Sequence, residues 1–324
     1  MLQAIALVLA GLVVLTLGAE MIVRGGSALA ARLGVSPLII GLTFVAIGTS
    51  APELGIGIEA ARNDQGSLAV GNIVGTNTVN ILLIMGLSAA LRPLALQVQT
   101  LRRELPAIVV ASLVLAFLAR DGLLTILDGV VLLVLGAAFT WAVTRSALRE
   151  SFAAKRAFSG GLGLSRPRTS STGAWKEVLA LAGGIAIIVS GAHVLIEGAV
   201  ALARFWKVSD AFIGLTVVAI GTSAPELVTT IISTLRGNRD IAIGNLIGSS
   251  VYNIVVILGI TCLASAIPLA VDDALIRFDI PVMIGVALVC LPVFLTGRRV
   301  SRGEGLMFVL AYVAYLGYLL ADRT

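Results

Sequence analysis

Long apolar segments, separated by short polar stretches, run through the whole chain. Ten of them can be recognised, near residues 2–23, 37–61, 68–90, 103–119, 122–144, 177–203, 211–235, 240–265, 275–296 and 304–321. Most are about 20 residues long, which is the length that a helix needs to cross the hydrocarbon core of a bilayer. Within hydrocarbon the backbone must satisfy its own hydrogen bonds, so only helices and closed barrels can span it. The pattern therefore predicts an all-α polytopic membrane protein with ten transmembrane helices.

The charge of the chain agrees with this prediction. Charged residues make up only 13% of the sequence, against about 25% in soluble domains. Taken alone, the net charge of +5 suggests nucleic-acid binding, but the basic residues fall in loops between apolar segments. We therefore expect a lipid bilayer, and no nucleic acid, around the protein. No basic region precedes the first segment, since the first Lys or Arg is Arg24, so we expect an uncleaved first helix.

A long basic connection divides the ten segments into two sets of five. It predicts a first unit of residues 1–145, a flexible cytoplasmic linker at 146–176 and a second unit at 177–324. With the N-terminus outside, 16 Lys and Arg residues fall in cytoplasmic loops and 6 in external ones. The positive-inside rule then predicts that both termini are external. Short loops without sorting signals favour a prokaryotic plasma (inner) membrane.

The two units carry the same signature. Residues 41–54 read GLTFVAIGTSAPEL and residues 214–227 read GLTVVAIGTSAPEL, so the two segments differ at one position. The correspondence, at an offset of 173 residues, extends to Asn80 and Asn253. Because each unit has an odd number of segments, the second must enter the membrane in the opposite sense. We therefore predict two inverted five-helix repeats, an architecture typical of secondary transporters with a site at the bilayer midplane.

Each signature places a glutamate, Glu53 or Glu226, in an apolar segment directly after a proline. An unpaired charge in hydrocarbon costs about 2.5 kcal/mol or more, so these carboxylates indicate a bound ligand. Proline lacks a backbone N–H, so carbonyl oxygens near each proline are freed. The residues that share a helical face with the glutamates, or form a polar stripe in the following segment, are Ala46, Thr49, Ala219, Thr222, Asn72, Thr76, Asn80, Asn245, Ser249 and Asn253. Such oxygen ligands suit Ca²⁺ and Na⁺ better than Mg²⁺, and nothing here offers sulfur or imidazole for zinc or copper.

The GTSAPEL motifs, with GNIVGTN and GNLIGSS, closely resemble the sodium/calcium exchanger branch of the cation/calcium exchanger superfamily. The resemblance covers both alpha repeats of that family, at residues 41–86 and 214–259. It implies that Ca²⁺ and Na⁺ occupy overlapping sites in turn, with Glu53 and Glu226 as the calcium carboxylates. The resemblance also implies that further oxygen ligands come from Thr49, Thr222 and the backbone carbonyls of Ala46 and Ala219. It implies that the flanking sodium sites are formed by Ser50, Ser223, Thr76 and Ser249.

One position departs from the pattern of the family. Asn253 stands where many sodium/calcium exchangers carry an aspartate, and it faces an asparagine, Asn80, in the first repeat. The predicted cage then has two formal negative charges and not three. Two charges balance one Ca²⁺, two Na⁺ or two H⁺, so the residues leave the coupling ion open.

The sequence thus predicts a secondary antiporter that exchanges Ca²⁺ for Na⁺ by alternating access. A Ca²⁺/H⁺ antiporter is the close alternative, and a cation channel is an alternative of another class, since clustered carboxylates also build filters. No HExxH, nucleophile elbow or Walker motif is present, so we expect neither an enzyme nor a cofactor, the transported ions aside. No obligatory protein partner is evident. The glycine-rich first and sixth segments are the predicted moving elements.

Overall fold

The computed structural model describes residues 1–95, 104–159, 175–206, 219–295 and 298–322. These residues form helices, linked by short loops and four two-residue strands. The helices are α1 (Leu2–Leu33), α2 (Pro37–Thr49), α3 (Ala51–Arg62), α4 (Gly66–Leu91), α5 (Leu105–Leu118), α6 (Ile126–Ser159), α7 (Trp175–Phe205), α8 (Ala219–Thr222), α9 (Ala224–Leu235), α10 (Arg239–Ala264), α11 (Ile280–Leu295) and α12 (Arg302–Asp322). The prediction of an almost entirely helical chain is confirmed.

Seven helical spans of the described residues are long and apolar enough to cross a membrane, and the bent pair α2–α3 would make an eighth. The shorter helices account for the difference from the predicted ten. α5 has 14 residues and α9 has 12, and residues 211–218 of the seventh predicted segment lie outside the described ranges. A multi-helix membrane protein is therefore shown, and the count of ten stays a prediction.

Two helices extend well past their predicted ends. α1 continues to Leu33 and ends at Gly34, which adopts the left-handed conformation with φ 68°. α6 continues to Ser159, so the predicted linker at 146–176 begins as a helix. The reason is composition, since the stretch after 145 is rich in Ala, Leu, Arg, Glu and Lys, which are strong helix formers whether or not they are apolar. Residues 160–174 of that linker lie outside the described part.

The strands were not predicted from the sequence. They are β1 (Leu94–Ala95), β2 (Leu123–Leu124), β3 (Leu269–Ala270) and β4 (Arg299–Val300). β1 pairs antiparallel with β4, and β2 pairs antiparallel with β3. Each pair joins a loop of the first unit to a loop of the second, and so fixes the two units against each other at both ends of the helices.

α1 and α7 form the most extensive helix pair in the described chain. They approach closely because glycines line the crossing. A Cβ atom at Gly18 would lie 2.6 Å from the backbone nitrogen of Ile188, and one at Gly191 would lie 2.7 Å from that of Leu15. Small residues of this kind let transmembrane helices pack backbone to backbone. α1 and α7 therefore form a tight pair.

A second group of helices surrounds α4 and α10, which are buried over most of their length. The larger hydrophobic core lies around these two helices and includes residues of α5, α11 and α12. The outward faces of other helices remain apolar, as Leu9 and Val13 of α1 and Leu310 and Val313 of α12 show. Exposed apolar surface on this scale is what a bilayer covers.

Candidate cation-binding site

Two helix breaks lie at the duplicated signatures. α2 ends at Thr49, α3 begins at Ala51, and their axes differ by 42°. Ser50 between them has φ −81° and ψ 10°, and Ser223, between α8 and α9, has φ −83° and ψ 6°. In both copies a proline occupies the first turn of the following helix, where its missing N–H does not weaken the helix. The repeated sequence therefore forms the same break twice.

Each break puts a glutamate in the first turn of the next helix, Glu53 in α3 and Glu226 in α9. Both side chains are 0% exposed. Unpaired backbone N–H groups and the positive end of the helix dipole favour negative charge at this position. The two carboxylates also interact electrostatically with each other. The charges of the two repeats thus share one buried region.

Hydroxyl groups surround the carboxylate of Glu226. Ser50 Oγ donates a hydrogen bond to Glu226 Oε1 at 3.3 Å, and the hydroxyls of Thr49 and Ser249 lie near this carboxylate. Thr49 Oγ1 and Ser249 Oγ are 3.5 Å apart, and they lie 3.3 Å and 3.4 Å from the carbonyl oxygen of Ala46. Residues of α2, α9 and α10 therefore meet around one carboxylate.

An amide of α10 joins this group. Thr49 Oγ1 donates to Asn245 Oδ1 at 3.1 Å, and Asn245 Nδ2 donates to Thr230 Oγ1 at 3.3 Å. Asn245 is 0% exposed. The sequence placed Asn245 on a polar stripe, whereas its contact with Thr49 comes from the packing of α2 on α10. The two helices can pack this closely because residue 41 is a glycine. A Cβ at Gly41 would lie only 2.8 Å from the carbonyl oxygen of Ile241.

The second carboxylate has a different surrounding. Neither oxygen of Glu53 has a hydrogen-bond partner in the structure, although the Thr76 hydroxyl lies near this carboxylate. The segment that begins at Asn253 packs against α3, which carries Glu53. Likewise the segment of Asn80 packs against α9, which carries Glu226. The segment that contains each asparagine thus packs against the helix that carries the glutamate of the other repeat.

Asn80 and Asn253 both lie in π-helical turns, at Val79–Met85 and Asn253–Ile257. Turns of this type are frequent at functional sites because they disturb the regular hydrogen bonding of the helix. Asn253 Nδ2 donates to Asn77 Oδ1 at 3.5 Å, and Asn77 Nδ2 donates to the carbonyl of Ser250 at 3.0 Å. Asn77 was not among the predicted site residues. The repeat offset is the signal that would have found it, since Asn77 and Ser250 are equivalent and both polar.

Six buried side-chain oxygens around the two breaks have no hydrogen-bond partner. They are Glu53 Oε1 and Oε2, Glu226 Oε2, Asn80 Oδ1, Asn253 Oδ1 and Ser223 Oγ. Buried polar atoms in native proteins are nearly always paired, so this group needs a ligand. A hard cation is the natural ligand, since Ca²⁺ takes about 6–8 oxygens from carboxylates, amides and carbonyls.

The remaining predicted residues lie at the same breaks. Thr222 is 2% exposed at the end of α8 and Ser223 is 1% exposed. Ala219 is the first residue of α8, and its side chain lies outside the described part. No group of three His, Cys, Asp or Glu side chains able to hold a metal occurs among the described residues. A cation here would therefore rest on two carboxylates and on neutral oxygens.

The profile of the family described as "Sodium/calcium exchanger protein" matches residues 3–145 and 176–321. The chain belongs to the sodium/calcium exchanger family. It is therefore a multi-pass membrane antiporter of that family, and the family resemblance of its motifs is confirmed. The two matched ranges stop on either side of the central connection.

Relatives of this exchanger match it over nearly their whole length. The putative antiporter CaxA of Alkalimonas amylolytica is 36% identical over 318 residues, 97% of this chain and 98% of that protein. The sodium/calcium exchanger MaX1 of Methanosarcina acetivorans is 33% identical and covers 96% of both chains. A solved structure of the sodium-calcium exchanger NCX_Mj, soaked with Na⁺ and Ca²⁺, has a TM-score of 0.81 at 26% identity, over 99% of this chain and 98% of that one.

Proposed function

We propose that this exchanger carries Ca²⁺ in one direction and Na⁺ in the other, both ions using the buried site between Glu53 and Glu226. The six unpartnered oxygens at the two helix breaks carry this proposal, because they match the ligand number and type of a hard cation. Similarity to a sodium/calcium exchanger, MaX1, and to the exchanger NCX_Mj supports the choice of ions. We propose transport without covalent chemistry, and no cofactor besides the transported ions.

The burial of the site provides the coupling. Glu53 and Glu226 are 0% exposed, so an empty site would hold two uncompensated charges in a medium of low dielectric. That state is too costly to cross the membrane barrier at a useful rate. One Ca²⁺ or two Na⁺ neutralise the pair, and only these loaded forms change their access. The consequence is that the two ions are exchanged across the membrane, without a net leak of either ion.

The contacts between loops support the predicted topology of ten helices in two inverted repeats. The loops predicted to be cytoplasmic contact one another, through the β1–β4 pair and the ion pair of Arg32 with Glu177 at 2.7 Å. The loops predicted to be external also contact one another, through β2–β3 and the hydrogen bond of Ser67 with Ala270. We propose on this basis a plasma-membrane protein with both termini external.

We propose that alternating access comes from the α1–α7 pair, which slides as a unit past the other helices. The glycine-lined crossing and the Arg32–Glu177 ion pair hold this unit together. One ion pair crosses from the unit to α9, where Arg236 Nη2 and Nε lie 2.9 Å and 3.0 Å from the two carboxylate oxygens of Glu20. Movement of the unit must break that contact.

A covalent lock at this contact is expected to stop exchange. In Glu20→Cys/Arg236→Cys, with Cys262 and Cys290 removed, a bifunctional thiol reagent should abolish exchange and leave Ca²⁺ binding intact, and reduction should restore transport. The matched control is Arg32→Cys/Glu177→Cys, whose cross-link lies inside the moving unit and should be tolerated. Undiminished exchange in fully cross-linked Glu20→Cys/Arg236→Cys protein would eliminate the sliding mechanism.

A second candidate function is Ca²⁺/H⁺ exchange, which Asn253 favours because the site holds two acidic groups and no third. Two protons neutralise the glutamates as well as two Na⁺ do. A cation channel is less well supported, because in this structure both carboxylates are closed off from solvent.

The deciding experiment is uptake of radioactive Ca²⁺ into proteoliposomes under an outward Na⁺ gradient or an outward H⁺ gradient, imposed separately. We expect uptake with the Na⁺ gradient alone. Uptake with only the H⁺ gradient would replace Na⁺ by H⁺ as the coupling ion. Uptake that needs neither gradient and does not saturate would indicate a channel, and the absence of uptake under all conditions would remove Ca²⁺ as the substrate.

A further inference from the structure

A row of hydroxyl groups continues from Glu226 along α9. Thr229, Thr230, Ser233 and Thr234 follow the glutamate by three, four, seven and eight residues, which places all of them on one face of the helix. All four are 0% exposed. From Glu226 to Thr234 the row spans about 12 Å, at a rise of about 1.5 Å per residue. α9 thus carries polar groups from the cation site almost to its own end.

These hydroxyls do not behave as helix hydroxyls usually do. A buried Ser or Thr in an apolar helix normally donates to the carbonyl four residues earlier. Thr78 and Ser250 of this chain do so, at 3.0 Å and 2.9 Å. The hydroxyls of Thr229, Ser233 and Thr234 are buried and have no partner in the structure. They serve neither their own helix nor a neighbouring one.

The first repeat shows that the fold does not require this row. The equivalent positions in α3, earlier by the repeat offset, are Ile56, Gly57, Ala60 and Ala61. At Gly57 the packing is closed, because a Cβ there would lie 2.5 Å from the hydroxyl of Thr261. The polar row is therefore a property of α9 and not of the shared architecture.

The row connects the site to the surface. Near the cation site, Thr230 accepts a hydrogen bond from Asn245, which contacts Thr49. Near the end of α9, the backbone carbonyl of Ser233 accepts a hydrogen bond from the backbone N–H of Asn238 at 2.8 Å. Asn238 belongs to a surface depression whose lining residues are Pro37, Ala95, Gly237, Asn238, Arg239 and Asp240.

A polar group also lies on α4, which faces this part of α9. α9 packs against the last turns of α4, where Ser88 is 0% exposed and its hydroxyl has no partner. The two helix ends meet, since Arg92 Nη1 lies 3.6 Å from the position of a Cβ on Gly237. Ser88 is thus another buried hydroxyl without a partner, on a part of α4 that packs against α9.

We propose that these hydroxyls line the closed passage through which cations move between the buried site and the side of the membrane on which α9 ends. The inference rests on the proposed function, because it assumes that the site holds the transported ion. Uncharged oxygens suit a passage, since they replace part of the hydration shell without holding the ion as carboxylates do. Polar groups buried among transmembrane helices commonly mark such routes.

Thiol accessibility tests the passage. In a background with Cys262 and Cys290 replaced by alanine, Ser233→Cys and Thr234→Cys are treated with a membrane-impermeant cationic thiosulfonate in vesicles of known orientation. We expect labelling from the side on which α9 ends and not from the other, and loss of exchange on labelling. Only variants that elute from gel filtration as the unaltered protein does are used, so misfolded protein is not scored.

The matched controls are Ala60→Cys and Ala61→Cys, the equivalent positions of α3, which should resist the reagent from both sides. Correctly folded Ser233→Cys and Thr234→Cys variants that stay unlabelled, or that label no faster than the α3 controls, would overturn the passage. Labelling does not require Ca²⁺ transport. A failure of Ca²⁺ uptake would therefore remove the proposed ion and leave the accessibility result standing.

A second variant separates the passage from the binding site. Ser233→Ala/Thr234→Val keeps the shape of α9 and removes two hydroxyls. We expect the exchange rate to fall about tenfold, because the ion at the top of the transport barrier would lose the stabilisation of about one hydrogen bond. The affinity for Ca²⁺ in detergent should stay within about twofold of that of the unaltered protein. An unchanged rate, or a loss of affinity equal to the loss of rate, would contradict a role in the passage alone.

Discussion

Replacement of Glu226 by glutamine is expected to abolish Ca²⁺ uptake and to weaken Ca²⁺ binding about a hundredfold or more, as for the loss of one partner from a buried charge pair. The reason is that glutamine keeps the shape of the side chain and removes half of the negative charge that faces the cation. Glu53→Gln should have an effect of the same size, because both carboxylates are 0% exposed and act on each other. Equilibrium binding of radioactive Ca²⁺ and uptake into proteoliposomes measure the two effects.

Glu59→Gln is the matched control for this prediction. Glu59 lies on α3 as Glu53 does, but its side chain is exposed and accepts a hydrogen bond from Asn63 at 2.9 Å. Its replacement should leave binding and uptake unchanged. Normal uptake by Glu226→Gln, or an equal loss in Glu59→Gln, would show that the buried carboxylates are not the cation ligands.

Replacement of Asn253 by aspartate is expected to change the charge moved in each cycle. Asn253 Oδ1 is buried and unpartnered, so an aspartate there would add a third negative charge to the site. Under the proposed function, the loaded forms of a site with two carboxylates carry one Ca²⁺ or two Na⁺, and exchange should be electroneutral. With three carboxylates a third Na⁺ is accommodated and each cycle moves one net charge. Uptake of Ca²⁺ under an imposed membrane potential distinguishes the two cases.

The size of this effect follows from the energy of a charge in the membrane field. One elementary charge at about 100 mV corresponds to about 2.3 kcal/mol, so the Ca²⁺ accumulation ratio of Asn253→Asp should change about fiftyfold with that potential. The unaltered exchanger should not respond. Asn80→Asp, at the equivalent position of the first repeat, should resemble Asn253→Asp. A potential-dependent unaltered exchanger would contradict the two-charge account of the site.

Much of the site was predictable because it depends on short-range features. The prolines of the two signatures predict helix breaks, and both breaks occur, with Ser50 and Ser223 in nearly the same conformation. The spacing of Thr49 and Glu53 predicts one polar face, and both residues are buried at the site. Their role as cation ligands stays a prediction, since the geometry shows where the oxygens lie and not which ion they hold.

Other features were not predictable, because they depend on which helices meet. Spacing shows the polar face of a helix but not its neighbour, so the contact of Thr49 with Asn245 comes only from the packing of α2 on α10. The hydrogen bond between Asn253 and Asn77 arises in the same way. Helix ends were also misjudged, as in α6, because hydropathy marks where a segment can enter hydrocarbon and not where its helix stops.

The sequence by itself determined the class of the protein, its duplicated signature and the two carboxylates in apolar surroundings. Those properties follow from composition, periodicity and identity along the chain, which need no knowledge of distant contacts. Only the tertiary structure decided that both glutamates share one closed region, that Ser50 of one repeat contacts Glu226 of the other, and that the α9 hydroxyls are buried without partners. The physical reason is that these are contacts between residues far apart in the chain, and helix packing alone sets them.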